Sequence, residues 1–260
     1  MNSSIRLASA FGVLSLASLA ACADATGTAA AGPMTVSFST TSTATATASR
    51  TGSTARFALA TAPASPLVIT RAQVVISKAE LARIGGSCTT TTTSSESESE
   101  CPDLKLGPML IDLPLDATAK GVLAVNLPAG SYQQYEAKID AVMNETEGDP
   151  AASAAFLAAN PQFRGVSIRV EGTFNGQPFV YTSAAEGELE LTFNPPLVVD
   201  GTAGNLTVHV DLSSWFLNAD GSTIDPSTAT AGTAARETID NNIKRSFDVF
   251  EDDDRDGRDN

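Results

Sequence analysis

From Ile168 to Ser183 the chain reads IRVEGTF, then Asn175-Gly176, then QPFVYTS. The period is two. It places Ile168, Val170 and Phe174 on one face and Arg169, Glu171 and Thr173 on the other, which suits a half-buried strand and not a helix. Asn-Gly accepts the positive φ of a type I′ turn, whose twist matches that of paired strands. A hairpin with one apolar face must bury it against another layer, so this stretch commits its surroundings to a layered β structure.

The same signal recurs along the chain. Met34 to Ser39 alternates over six residues. Val68 to Ile76 is rich in β-branched residues, while Ser77 to Ile84 fits a strand or one helical turn. Met109 to Leu113 is a short strand ended by Pro114. Leu189, Leu191 and Phe193 alternate with glutamates and Thr192 before Asn194-Pro195-Pro196, and Leu197 to Val199 resumes before Asp200-Gly201 turns the chain. Leu206, Val208, Val210 and Leu212 point one way, leaving Thr207, His209 and Asp211 on a polar, solvent-facing side. Val122 to Val142 reads as a hairpin around Leu127-Pro128-Ala129-Gly130, with Tyr132 just after the corner.

Two helices interrupt the pattern. Asp149-Pro150 is a capped start for a short alanine-rich helix over 151–159. Ile239, Ile243, Phe247 and Phe250 are spaced as one helical stripe, which predicts a C-terminal amphipathic helix over 232–251. The expected fold is mainly β: an antiparallel β-sandwich of transthyretin or immunoglobulin-like architecture over 55–231, with the short inserted helix and the terminal helix docked on it.

Composition narrows the partners. With 260 residues and 42% hydrophobic content, the chain can bury a sizeable core. Its net charge of −14 makes it a poor binder of nucleic acid or of a bare anionic lipid surface.

Met1 to Cys22 reads as an export signal. Arg6 precedes a short apolar run, Leu7 to Ala17, well below the ~20 residues a membrane span needs. The run ends in Leu19-Ala20-Ala21-Cys22, which resembles the lipobox of bacterial lipoproteins. That resemblance implies cleavage after residue 21, acylation of Cys22 and a mature chain of 22–260. Ala23, where an aspartate retains such proteins in the inner membrane, implies the outer membrane. Residues 22–54 then form an Ala/Ser/Thr-rich tether, with Met34–Ser39 as a first strand inside it.

With Cys22 acylated, Cys88 and Cys101 remain as a pair. In an exported protein such a pair reads as a disulfide. It brackets twelve Thr, Ser and Glu residues with no core-forming side chain, an insert over 88–101 expected to be disordered. A metal-binding pair is the rival reading, and it lacks further Cys or nearby His.

Leu127, Pro128, Ala129, Gly130 and Tyr132 form an LPAGxY corner. Together with the lipobox and the strands before it, this resembles a family of uncharacterised bacterial lipoproteins across roughly 54–142. The resemblance implies an exported β-sandwich and no known activity.

For chemistry the chain offers little. GxSxG, HExxH, P-loop and dinucleotide fingerprints are absent from the sequence. His209 is the one histidine. Glu186, Glu188 and Glu190 line one face of a strand, either as a charged surface or as paired carboxylates for glycoside hydrolysis. Trp215 reads as a core anchor or a sugar-stacking platform. Asp252, Asp254 and Asp256, with Gly257, fit the opening D-x-D-x-D-G of a calcium loop, against the plainer reading of 252–260 as a solvated acidic tail. The expectation is a non-enzymatic envelope module that meets the membrane through its lipid and takes a protein or polysaccharide partner. The alternative is a structural or assembly lipoprotein on the periplasmic side of the outer membrane.

Overall fold

The computed structural model describes residues 31–41, 57–59, 66–84, 102–115, 120–143 and 149–252. Among the described residues there are twelve strands: β1 (Gly32–Thr41), β2 (Phe57–Leu59), β3 (Leu67–Arg83), β4 (Pro102–Leu106), β5 (Met109–Asp112), β6 (Lys120–Leu127), β7 (Gly130–Ile139), β8 (Ile168–Phe174), β9 (Gln177–Ser183), β10 (Gly187–Val199), β11 (Gly204–Asp211) and β12 (Phe247–Glu251). Helix α1 (Pro150–Ala159) precedes β8, and α2 (Ala234–Lys244) precedes β12. The architecture is the expected β-sandwich. A four-stranded sheet, β12-β11-β1-β6, faces an eight-stranded sheet built on β3.

β3 is the spine of the large sheet. Along one edge it pairs with β8 over 67–74 and then with β7 over 76–83. Its other edge takes β2, β5 and β4 in turn. Ser77 to Arg83 is therefore strand. Both faces of the middle of β3 are buried. Val74 and Ile76 join the inter-sheet core, while Val75 packs outward against Phe156, Leu157 and Phe163 around α1. Asp149 caps α1 as expected, accepting from the Ala151 and Ala152 amides. Asn175 and Gly176 adopt φ of 51° and 78°, and Phe174 pairs with Gln177 across them.

Three expectations are corrected. The Met34–Ser39 strand is no part of a tether: lengthened to Gly32–Thr41, it is an inner strand of the small sheet, parallel to β11, with Met34, Val36 and Phe38 in the core. Leu127 to Gly130 does not close a hairpin. β6 belongs to the small sheet and β7 to the large one, so the corner carries the chain from one layer to the other. Tyr132, fully buried, donates its hydroxyl back to the Pro128 carbonyl at 2.8 Å and ties the crossing. Arg83 donates to the Ala129 carbonyl from the other side.

The helix expected over 232–251 ends at Lys244, and Phe247–Glu251 is a strand paired with β11. Ile239 and Ile243 are the buried stripe of the helix; beyond it Val249, not Phe250, turns into the core. The gain is the β11 edge: β12 satisfies its backbone groups, which a continued helix would leave unpaired.

Candidate functional site

Three strands of the large sheet each carry charges two residues apart: Lys78 and Glu80 on β3, Glu136 and Lys138 on β7, Glu188 and Glu190 on β10. A spacing of two keeps both on one face. Register then aligns them into rows, Lys78–Lys138–Glu188 and Glu80–Glu136–Glu190. These side chains line a groove of about 200 Å³ on the outward face of the sheet.

Like charges side by side on adjacent strands repel, so the groove needs counter-ions. Glu80 is 9% exposed, and its carboxylate lies 3.0 Å from Lys78 Nζ and 3.2 Å from Lys105 Nζ. Two ammonium groups offset the desolvation of that one carboxylate. Lys138 Nζ sits 3.1 Å from Asp140, and Gln134 Nε2 donates to Glu190 at 2.7 Å. Glu186, Glu188 and Glu190 are exposed, as their alternation with Leu189 implied. The lining offers more carboxylate than ammonium and suits a polar or cationic ligand. Lys78, Glu80, Glu136 and Lys138 escaped the sequence reading. Their signal was there, as i, i+2 charge pairs in three separate strands, but only register brings the pairs together.

The outer face of the small sheet holds a second polar group, and here two expectations fail. Thr207 does not face solvent, and His209 does so only in part. Ser37, Asn205, Thr207 and Asp252 are each buried and form one chain of hydrogen bonds. Ser37 Oγ donates to Asn205 Oδ1 at 2.8 Å, Asn205 Nδ2 donates to the Asp252 carbonyl at 2.9 Å, and Thr207 Oγ1 donates to Asp252 Oδ2 at 2.6 Å. Asp252, read from sequence as the first residue of a solvated tail, is a buried part of the sandwich that fixes the end of β12. Asp254 and Asp256 lie outside the described residues, and among the described residues no three His, Cys, Asp or Glu side chains come together as a metal site.

Further along the face, His209 is half-buried with Nδ1 at 2.9 Å from Ser39 Oγ. Burial pulls its pKa below the usual imidazole value, against the opposing pull of Asp211 and Asp248. Trp215 is fully buried. Its indole N–H donates to Ser246 Oγ at 2.7 Å and its ring packs near Phe247, which makes it an anchor rather than a platform for a ligand.

Cys22, Cys88 and Cys101 lie outside the described residues. The strands flanking the insert are described: β3 and β4 pair antiparallel, with Ala82 opposite Pro102, so the cysteine-bracketed insert joins two hydrogen-bonded neighbours. No described helix is long and apolar enough to cross a membrane.

No family model and no curated protein matches the chain. Among solved structures it is similar to MbnP from Methylosinus trichosporium, at 12% identity and a TM-score of 0.40, over 80% of this chain and 86% of that one.

Proposed function

We propose that the protein is a lipid-anchored, non-enzymatic envelope module that binds a polar, predominantly cationic partner through the charged groove of its large sheet. The observation that carries the binding role is the groove itself: six charged side chains from three strands, on an outward face that α1 covers only around Val75. Anchoring rests on Leu19-Ala20-Ala21-Cys22 and the export signal before it. Several acyl chains hold a protein stably, since each buried methylene contributes ~0.8 kcal/mol.

Protease shaving of intact cells, with and without outer-membrane permeabilisation, tests the placement. The Thr/Ser-rich stretches 42–54 and 89–100 supply the cleavage sites. Cutting on intact cells supports a surface-binding role. Cutting after permeabilisation alone favours the structural role inside the envelope. A Cys22→Ala chain that stays membrane-bound refutes the anchor. For the groove, Glu136→Lys/Glu190→Lys should abolish retention on a cationic polymer that holds the parent; equal retention refutes the binding face.

A further inference from the structure

The outward face of the large sheet changes character toward one end. The charged rows give way to Ala82–Gln134–Thr192, and beyond a bulge to a last row of Ile84, Ser131 and Val198. Ile84 N–H donates to the Ser131 carbonyl at 2.8 Å, and Val198 pairs with Ser131 from the other side. Two apolar side chains therefore flank one serine. They are 46% and 61% exposed, unlike nearly every other large apolar side chain described.

This is also the end at which the chain enters the sandwich. Gly32, the first residue of β1, pairs with Leu127 beside the corner and packs on the Gly201-Thr202 turn. A cleft of about 280 Å³ with a mixed polar and apolar lining, Pro33, Leu197, Val198, Thr202 and Ala203 among it, adjoins the rim through Val198. Nine residues lie between Cys22 and Gly32, with a reach of ~35 Å when extended.

We propose that this rim, Ile84 and Val198 with the adjoining cleft, rests on the surface of a zwitterionic lipid leaflet. The inference builds on the lipid-anchor reading. An anchor on Cys22 keeps the rim near the bilayer, so contact becomes effectively intramolecular and a small apolar area is enough. Exposed Asp200 and the overall charge of −14 disfavour an anionic leaflet. Glu80 lies four residues up β3 from Ile84, which holds the charged groove ~13 Å above the lipid and facing sideways.

The test uses the acylated mature chain in phosphatidylcholine vesicles containing brominated lipid. Tryptophan is introduced at Ser131→Trp or, at the opposite end of the sheet, at Asn175→Trp; the parent, whose Trp215 is fully buried, supplies the background. The expected result is at least threefold stronger quenching for Ser131→Trp than for Asn175→Trp. That quenching should fall by more than half when Ile84→Asp and Val198→Asp are added or when half the lipid is anionic. Equal quenching of a chain that still floats with the vesicles refutes the rim while leaving the anchor intact. A chain that does not float refutes the anchor and the rim with it. Protection of Ser131→Trp that depends on protein concentration and not on bromine assigns the rim to a second copy of the chain, and overturns the proposal.

Discussion

Gly130 sits where the chain crosses between sheets, at φ 157°, and a Cβ there would overlap Arg83 Nε and come within 2.9 Å of its Cζ. In Gly130→Ala the guanidinium must swing away, breaking its bond to the Ala129 carbonyl. Part-exposed and charge-assisted, that bond is worth about 1 kcal/mol net. An alanine at this φ adds about 1 kcal/mol of backbone strain, partly offset by the entropy glycine loses on folding. The expected loss is about 2 kcal/mol, or a fall in Tm of roughly 4–8 °C for a domain of this size. In an Arg83→Ala background the clash and the bond are both gone, and the same substitution should cost about half as much. Urea unfolding of the four proteins gives the coupling energy directly. An identical cost for Gly130→Ala in both backgrounds would refute the account, since the strain would then lie in the corner alone.

Gly172→Ala should be costlier, about 3 kcal/mol by urea unfolding, because the new Cβ strikes the Val68 carbonyl, which is backbone, and lies 3.0 Å from Phe179. Asp240 accepts from Tyr181, Ser183 and Arg236 and docks α2 on β9; Asp240→Ala should lose about 2–3 kcal/mol, and α2 amides should exchange faster than those of β3. His209 has a depressed pKa in the folded state, so the unfolded chain binds its proton more readily. Stability should be at its full value above pH ~6.5 and decline as pH falls below it, and His209→Gln should flatten that slope in urea unfolding at pH 7.5 and 5.5. A Cys88–Cys101 disulfide, expected from the sequence, would leave no titratable thiol in the unfolded, unreduced mature chain and two after reduction, with ~3 kcal/mol lost on reduction.

Much of the fold was legible because its signals are local. Asn175-Gly176 specifies a turn through φ alone, Asp149 caps α1 through a side chain two residues from its donors, and alternation marks which face of β8 and β9 is buried. Of the two readings of Trp215, the core anchor is the one its burial bears out. What failed were statements about pairing. Leu127 to Gly130 looks like a hairpin because a tight corner has the same composition whether the strands it joins pair or part, and only the partners of β6 and β7 separate the two. Phe247 continues a helical stripe on paper, yet the open edge of β11 makes a strand the better state. Thr207 and Asp252 read as solvated from their chemistry, and buried hydrogen bonds to Asn205 and to each other reverse that.

By itself the sequence determined a β-rich chain of alternating strands with a net charge of −14, since these rest on residue type and on spacings of a few residues. The tertiary structure decided that β1 runs parallel to β11, although the two are more than 160 residues apart. It also decided that charges from β3, β7 and β10 share one groove, and that the apolar rim and the entry of the chain fall at the same end. Such juxtapositions depend on register between distant strands, and register is set by the burial of whole faces at once, which no local window contains.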